Sequence, residues 1–421
     1  MPGAGTRPGT TVAEPAPARL LDLSRLVSRA DRLPTGIDRV ELAYLRELLA
    51  ETVPLFGLVR TAWGYLLLDR HGCQALLDRA TGQASWGRPD LLSRLRRGLG
   101  PQRQRAESDL RRVAIARCLP SRLAPMLSRH LDRGTTYINV GHTNLTEKNL
   151  FCVKQSLEGR IVVMVHDTIP LDYPHYQRPG TVERFRAMLN RVQRYATLVL
   201  CNSACTRADV TRHMAPRGTV PDTLVAWLGV EDLTPDPDVR LPPGFDENRP
   251  CFITIGTIEP RKNHMFLLDL WTDMATEMRP EKMPQLLICG ARGWNNADVF
   301  ARLDSDPMMG LHVFEMPGLS DGQIAALLLR MNGALFPSHV EGFGLPPAEA
   351  LSLGVPVICN SLDIYIEILG HNPVYASVRD SYLWRQETER LAHSQKTGQI
   401  TGKKFQPPTW RAHFNTVLSS L

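Results

Sequence analysis

A chain of 421 residues is longer than one ordinary core organises, and it divides most naturally into two domains of about 200 residues each. Its 43% hydrophobic and 22% charged residues are those of a soluble globular protein, and no apolar run reaches the roughly 20 residues that cross a bilayer. The formal net charge of +6 comes with a local excess of arginine, while the eight cysteines are scattered. Only Cys201 and Cys205 lie close together and none has zinc spacing, so they read as reduced thiols of a cytoplasmic protein.

Residues 1–18, "MPGAGTRPGTTVAEPAPA", lack the apolar centre of a secretory signal and read as a flexible leader. A first domain is expected over 19–230. It opens with the short element "RLLDLSRLV", the turn "ADRLPTGIDR" and the helical pattern "VELAYLRELLAE". "FGLVRTAWGYLLLDR" reads as a hairpin or paired strands. Next comes a block holding Arg94, Arg96, Arg97, Arg103, Arg105, Arg111, Arg112, Arg117, Arg122, Arg129 and Arg133 against only Glu107, Asp109 and Asp132. Such a block is either a surface for anionic lipid or pyrophosphate or simply a solvated helical face. Few aromatics interleave with it, which argues against nucleic acid.

Three apolar bursts follow at α/β spacing, 135–142, 160–167 and 196–203, each ending in polar residues as parallel strands do. "TVERFRAMLNRVQRYA" supplies a helix between the last two. The Pro- and Asp-rich stretch 231–250 reads as a linker. A second doubly wound domain is expected over 251–395, with strands at 251–256, 285–290, 312–316, 333–338 and 355–360. "HMFLLDLWTDMATEM" and "DGQIAALLLRM" read as two of its helices. Residues 396–421 end in a helix, "TWRAHFNTVLSSL", free to pack back on the first domain. Two such sheets would face each other across a cleft that receives the ligand.

"HVEGFGLPPAEAL" places Glu341 and Glu349 around a turn that opens a helix. The turn's amides, with Gly342 and Gly344 leaving main chain uncovered, suit a phosphate, whereas the carboxylates would repel it and suit sugar hydroxyls. For Glu349 alone, a favourable first-turn acid is the plain alternative. "GTIEPRKNHMFLL" sets Arg261 and Lys262 after the strand ending at Gly256, with Asn263 expected to cap the next helix. An adjacent guanidinium and ammonium suit a diphosphate. His166, at a strand end, either donates to a ligand hydroxyl or is a structural histidine held by Asp167. Asn202 and Ser203, also at a strand end, serve structure or function equally. The pairs Asp236 with Asp238 and Asp304 with Asp306 end no core strand and read as chance, so no metal is expected.

"TIEPRKN" followed by "FPSHVEGFGLPPAEALSLGVPVI" resembles the retaining glycosyltransferases of family 4, whose E-x7-E pattern the two glutamates match. "VHDTIPL", "LICGARGW" and "GLSD" agree, and "PTGIDRVELAYL" resembles the glycine-containing loop of bacterial polysaccharide-building members. The resemblance implies a GT-B fold: two Rossmann-like domains facing an interdomain cleft. It implies that Arg261 and Lys262 hold the donor diphosphate and that Glu349 binds the ribose. Glu341 and His166 would face the transferred sugar. Thr35, Gly36, Gly256 and the turn Gly342, Phe343, Gly344 and Leu345 would approach the phosphates, and the loops at Gly290 and Leu319 the base.

The expected activity is a metal-independent hexosyl transfer without cofactor, from a nucleotide-sugar, GDP-mannose being preferred, to a lipid-linked glycan of a bacterial surface polysaccharide. UDP- and dTDP-sugars, a GT-B epimerase and a non-catalytic nucleotide-sugar-binding protein are the alternatives. The expected location is cytoplasmic, peripheral at the inner face of the plasma membrane if the arginine block meets lipid.

Overall fold

Four buried residues, Arg19–Asp22, form β1, and an eight-stranded sheet grows from it in both directions. The computed structural model that shows this describes residues 16–96, 98–394 and 405–421. Most of the leader expected over 1–18 lies outside the described residues, as do Arg97 of the arginine block and 395–404 ahead of the last helix. Ala18 is already buried, and its carbonyl accepts from the Thr136 amide.

The other strands of the first sheet are β2 (Leu55–Arg60), β3 (Tyr65–Leu68), β4 (Ala116–Cys118), β5 (Thr136–Asn139), β6 (Ile161–Val165), β7 (Leu198–Cys201) and β8 (Asp222–Val225). Their order is β4-β3-β2-β1-β5-β6-β7-β8, parallel except that β3 runs antiparallel to both β2 and β4. The centre of the sheet, "IVVMV" in β6 for example, is buried throughout, because helices cover both of its faces. The hairpin expected around "FGLVRTAWGYLLLDR" is β2 and β3.

A second, all-parallel sheet has the order β11-β10-β9-β12-β13-β14. Its strands are β9 (Cys251–Ile255), β10 (Gln285–Cys289), β11 (Val313–Glu315), β12 (Gly333–Phe336), β13 (Val357–Cys359) and β14 (Val374–Tyr375). The chain is thus two Rossmann-like lobes. No helix among the described residues is long and apolar enough to cross a membrane.

Residues 231–250 contain no helix or strand, but they are not all free of the lobes. Val239 is buried, and Phe245 packs edge-on against Phe314 at 5.2 Å between ring centroids, so the later part lies on the second lobe. The last helix, Trp410–Leu418, packs on the first lobe. Phe414 meets Tyr44 at 5.0 Å between centroids, and the Tyr44 hydroxyl bonds His413 Nε2 at 2.9 Å. The two passages between the lobes touch, since the Val230 amide donates to the Pro408 carbonyl at 2.9 Å. Nearby, the Glu367 carboxylate of the second lobe accepts from the Ala204 amide (2.7 Å), the Cys205 amide (3.0 Å) and Trp227 Nε1 (2.9 Å) of the first.

Candidate active site

The strand ends of the second lobe bring the expected cations together. β9 stops at Gly256, and a short 3-10 turn, Pro260–Lys262, aims both basic side chains toward the loop after β12. Arg261 donates to Glu341 Oε2 at 2.6 Å, and its other arm pairs with Glu259 at 2.7 Å. Lys262 Nζ donates to Glu341 Oε1 at 2.6 Å, and the Ser338 hydroxyl donates to the same oxygen at 2.7 Å. The Glu341 side chain is 7% exposed. Burial alone would raise its pKa, but Arg261, Lys262 and the hydrogen bonds outweigh it and hold the carboxyl at about 2. Glu341 is therefore an anion that keeps two cations aligned. Burial pushes the Lys262 ammonium down, opposed chiefly by Glu341.

Close main-chain approach explains two of the glycines. A Cβ on Gly290 would lie 1.9 Å from the Gly256 carbonyl oxygen, and one on Gly256 3.1 Å from Lys262 Cε. Asn263 precedes the next helix in left-handed conformation (φ 56°), but its side chain donates to the Pro337 carbonyl at 3.2 Å. It ties this turn to the end of β12 rather than capping the helix, which corrects the sequence expectation.

From the first lobe, His166 and Asp167 meet the turn at Gly342, where a Cβ would sit 3.0 Å from Asp167 Oδ2 and 3.4 Å from the His166 carbonyl. His166 is buried and bonds the Val140 carbonyl through Nε2 at 2.7 Å. Burial drives its pKa down to about 4 against that bond, so the ring is neutral at pH 7. Asp167 does not hold it, contrary to the structural alternative read from sequence. Asp167 Oδ1 accepts instead from the Ile169 amide at 3.1 Å. Asn202 Nδ2 donates to the His166 carbonyl at 2.8 Å, and Ser203 caps the following helix by accepting from the Thr206 amide at 2.9 Å. Ser203 thus has a structural role, while Asn202 holds the His166 carbonyl with its amide nitrogen and leaves its buried Oδ1 without a partner among the described residues.

Glu349 sits in the helix Leu345–Ser352 beyond its first turn and is buried, so it is no surface first-turn acid. It accepts from Arg39 Nη1 at 2.5 Å. Arg39 belongs to the first-lobe helix Gly36–Ala50, and its other arm bonds Asp321 of the "GLSD" segment. Burial raises the Glu349 pKa, with Arg39 the main opposing charge. Gly36 faces the turn, since a Cβ there would stand 3.6 Å from Leu345 Cδ1. Thr35 is committed locally: its amide and hydroxyl both donate to Asp38 Oδ2 at 2.7 Å. Phe343 turns its ring into the core and Leu319 packs against it, so only the main chain of Phe343 is available to a ligand.

A cavity of about 650 Å³ opens beside Glu341, lined by Asp167, Thr168, Tyr173, Arg212 and His339 among others. Among the described residues no three His, Cys, Asp or Glu side chains converge as a metal-binding group. Asp304 pairs with Arg292 at 2.7 Å, and Asp306 with Arg302 at 3.2 Å. The sequence reading missed Arg39, Glu259 and Ser338. Glu259 stood in the quoted motif itself, but nothing in the sequence links Arg39 to residues 282 and 310 positions away.

Comparison with known proteins finds a family likeness in the second lobe. Residues 237–388 match the family described as glycosyl transferases group 1. The match covers about a third of the chain, nearly all of it in the second lobe, which is therefore similar to a group 1 glycosyltransferase domain. The whole chain is 26% identical over 415 residues to the serotype-specific mannosyltransferase WbdA of Escherichia coli, covering 96% of this chain and 46% of that protein. It is 27% identical over 226 residues to the E. coli O-antigen chain mannosyltransferase B, covering 52% of this chain and 58% of that one. The chain thus spans about half the length of the curated relatives it matches. The crystal structure of Anabaena Alr3699/HepE in complex with UDP-glucose superposes with a TM-score of 0.58 at 13% identity, over 96% of this chain and 94% of that one. That likeness shows the fold alone: the two lobes have the GT-B architecture.

Proposed function

We propose that the chain is a retaining, metal-independent glycosyltransferase that moves mannose from GDP-mannose to a lipid-linked glycan in surface polysaccharide synthesis. The observation carrying this reading is the buried Arg261–Lys262–Glu341 cluster at the ends of β9 and β12, facing His166 and Asp167 across the cleft. Cleaving a glycosyl phosphate develops negative charge on the departing diphosphate and positive charge on the sugar ring. Arg261 and Lys262 are the cations available to the first, and the Glu341 carboxylate, ionised far below neutral pH, is available to the second and to sugar hydroxyls. Neutral His166 suits a hydroxyl better than a phosphate. Glu349 takes the ribose hydroxyls once Arg39 yields, and the turn from Gly342 to Leu345 approaches the phosphates together with Gly36.

The 650 Å³ cavity beside Glu341 suits the acceptor end of a glycan, being lined by carboxylates, an arginine and an aromatic ring. No protein nucleophile is assigned; departure and attack on the same face of the sugar account for retention. The names of the relatives, mannosyltransferases of O-antigen synthesis, support the choice of sugar.

The test is nucleoside-diphosphate release from GDP-mannose, UDP-glucose and dTDP-rhamnose, with and without bacterial glycolipid. Release from GDP-mannose alone, stimulated by glycolipid, unaffected by EDTA and yielding an α-linked product by NMR, is the expected result. Release from another donor would overturn the sugar, a β-linked product the retention. Donor binding without release in the presence of glycolipid would leave a binding protein.

A further inference from the structure

Six of the twelve large hydrophobic side chains exposed among the described residues lie in one neighbourhood of the first lobe: Trp63, Leu91, Leu92, Leu95, Ile115 and Leu119. Leu91 and Leu95 are 77% and 71% exposed, the two ends of a five-residue helix, Leu91–Leu95. That helix is pinned by its polar side. Asp90 accepts two bonds from Arg111, at 2.8 and 2.7 Å, and the buried Ser93 hydroxyl accepts from Ser108 at 3.0 Å. The fold therefore holds these leucines outward. Trp63 Nε1 donates to the Leu92 carbonyl at 3.0 Å, which joins the helix to the hairpin. On the other side, a Cβ on Gly64 would lie 3.2 Å from Leu119 Cα, so Leu119, just past edge strand β4, completes the patch.

Its rim is cationic. Arg94, Arg96, Arg117 and Arg122 are exposed beside it, with Arg96 lying 5.9 Å from the Trp63 ring centroid, and Arg105 and Arg129 are exposed elsewhere in the block. Two of the block's three acids are withdrawn: Glu107 and Asp109 are buried in pairs with Arg103, Arg111, Arg112 and Arg79, while Asp132 is exposed at the far end of the block. Between residues 91 and 131 no described carboxylate is exposed. The arginine block is thus neither uniformly free nor merely solvated; it divides into an internal network and an unopposed outer set.

We propose that this patch docks on an anionic phospholipid surface, the leucines and Trp63 entering the headgroup region while the outer arginines meet lipid phosphates. Exposed apolar side chains at the centre and cations around them match the layering of a bilayer interface, apolar below and anionic above. The inference deepens the reading of a lipid-linked acceptor, because it would hold the cleft at the surface where such an acceptor sits. It is measured without donor or acceptor, so either can fail alone.

The experiment is flotation of the full chain with vesicles of phosphatidylcholine or of an equal mixture with phosphatidylglycerol, across a salt series. Wild type should float with the anionic vesicles only, less so as salt rises. Each of Arg94→Gln, Arg96→Gln and Arg117→Gln should weaken binding about fivefold. The pair Leu91→Ser and Leu95→Ser should abolish the part that survives high salt, with an unchanged circular dichroism spectrum showing that the fold is retained. Equal flotation with both vesicle types, no flotation, or full flotation of these variants would each overturn the proposal. A wild-type dimer by light scattering that the leucine variants dissolve would assign the patch to a second copy instead. Retention on DNA lost in the arginine variants, without flotation, would assign it to nucleic acid.

Discussion

Arg39 and Glu349, 310 residues apart in sequence, form an ion pair at 2.5 Å that joins the helix Gly36–Ala50 of one lobe to the turn-and-helix motif of the other. The same guanidinium also bonds Asp321, and its Nε is buried without a partner. A half-buried arginine between two carboxylates of the opposite lobe holds the cleft together while keeping the proposed ribose carboxylate occupied.

Removing Arg39 should leave Glu349 buried with no counter-ion. Arg39→Ala is expected to cost about 2–3 kcal/mol in urea unfolding, since loss of one partner strands the other charge. Glu349→Gln in that background should cost much less than it does alone, and the double-mutant cycle reads the coupling. Additive effects would show that the pair contributes nothing across the cleft.

For the cluster at the end of β9, Lys262→Met should lower kcat by about a hundredfold or more, as loss of a preorganised charge on a leaving group does. Arg261→Lys keeps the charge but cannot reach Glu341 and Glu259 at once, so it should fall between wild type and Lys262→Met. Steady-state turnover of the proposed donor, GDP-mannose, measures both. Unaltered kcat in Lys262→Met would remove the lysine from the leaving-group site.

Two glycines of the turn should fail differently. Gly344 has φ +99°, and a Cβ there would lie 2.7 Å from the Tyr365 ring, so Gly344→Ala should destabilise by about 1–3 kcal/mol. At Gly342 the neighbour is Asp167 of the other lobe, 3.0 Å away. Gly342→Ala should therefore leave thermal unfolding nearly unchanged while depressing turnover, because it presses the lobes apart. The pair of measurements separates a strained turn from a blocked cleft.

His413 gives a pH test. It lies between the Tyr44 hydroxyl and the Trp227 carbonyl, and burial drives its pKa down to about 4. The unfolded chain takes up a proton there below about pH 6.5, and the folded one does not. Its contribution is complete above pH 6.5 and is lost as pH falls toward 4, by about 2 kcal/mol between pH 7 and 5. His413→Gln should flatten that part of the stability profile in urea titrations.

The sheet centres were legible because β5, β6, β7, β9, β10 and β12 are apolar runs buried on both faces. β1 was not recognised as the middle strand, since "RLLD" carries two charges and only its position between β2 and β5 makes it central. β8 and β14 escaped because their residues are partly exposed at sheet edges. At the site, Arg261, Lys262 and Glu341 could be read from adjacency and motif. Arg39 could not: on its own helix it is an ordinary basic residue, and its partners become neighbours only when the lobes dock.

The contact between Val230 and Pro408 has a consequence for swapping lobes between related chains. The chain passes between the lobes twice, and the two passages run side by side; a Cβ on Gly229 would lie 2.3 Å from the Trp410 amide nitrogen. Bending there turns both passages about one line, whereas sliding would tear them apart. A chimera that exchanges the second lobe must therefore keep the helix Trp410–Leu418 with the first lobe, although it follows the second lobe in sequence. Cutting only once, after the first passage, would import a foreign helix against Tyr44 and leave the hinge mismatched.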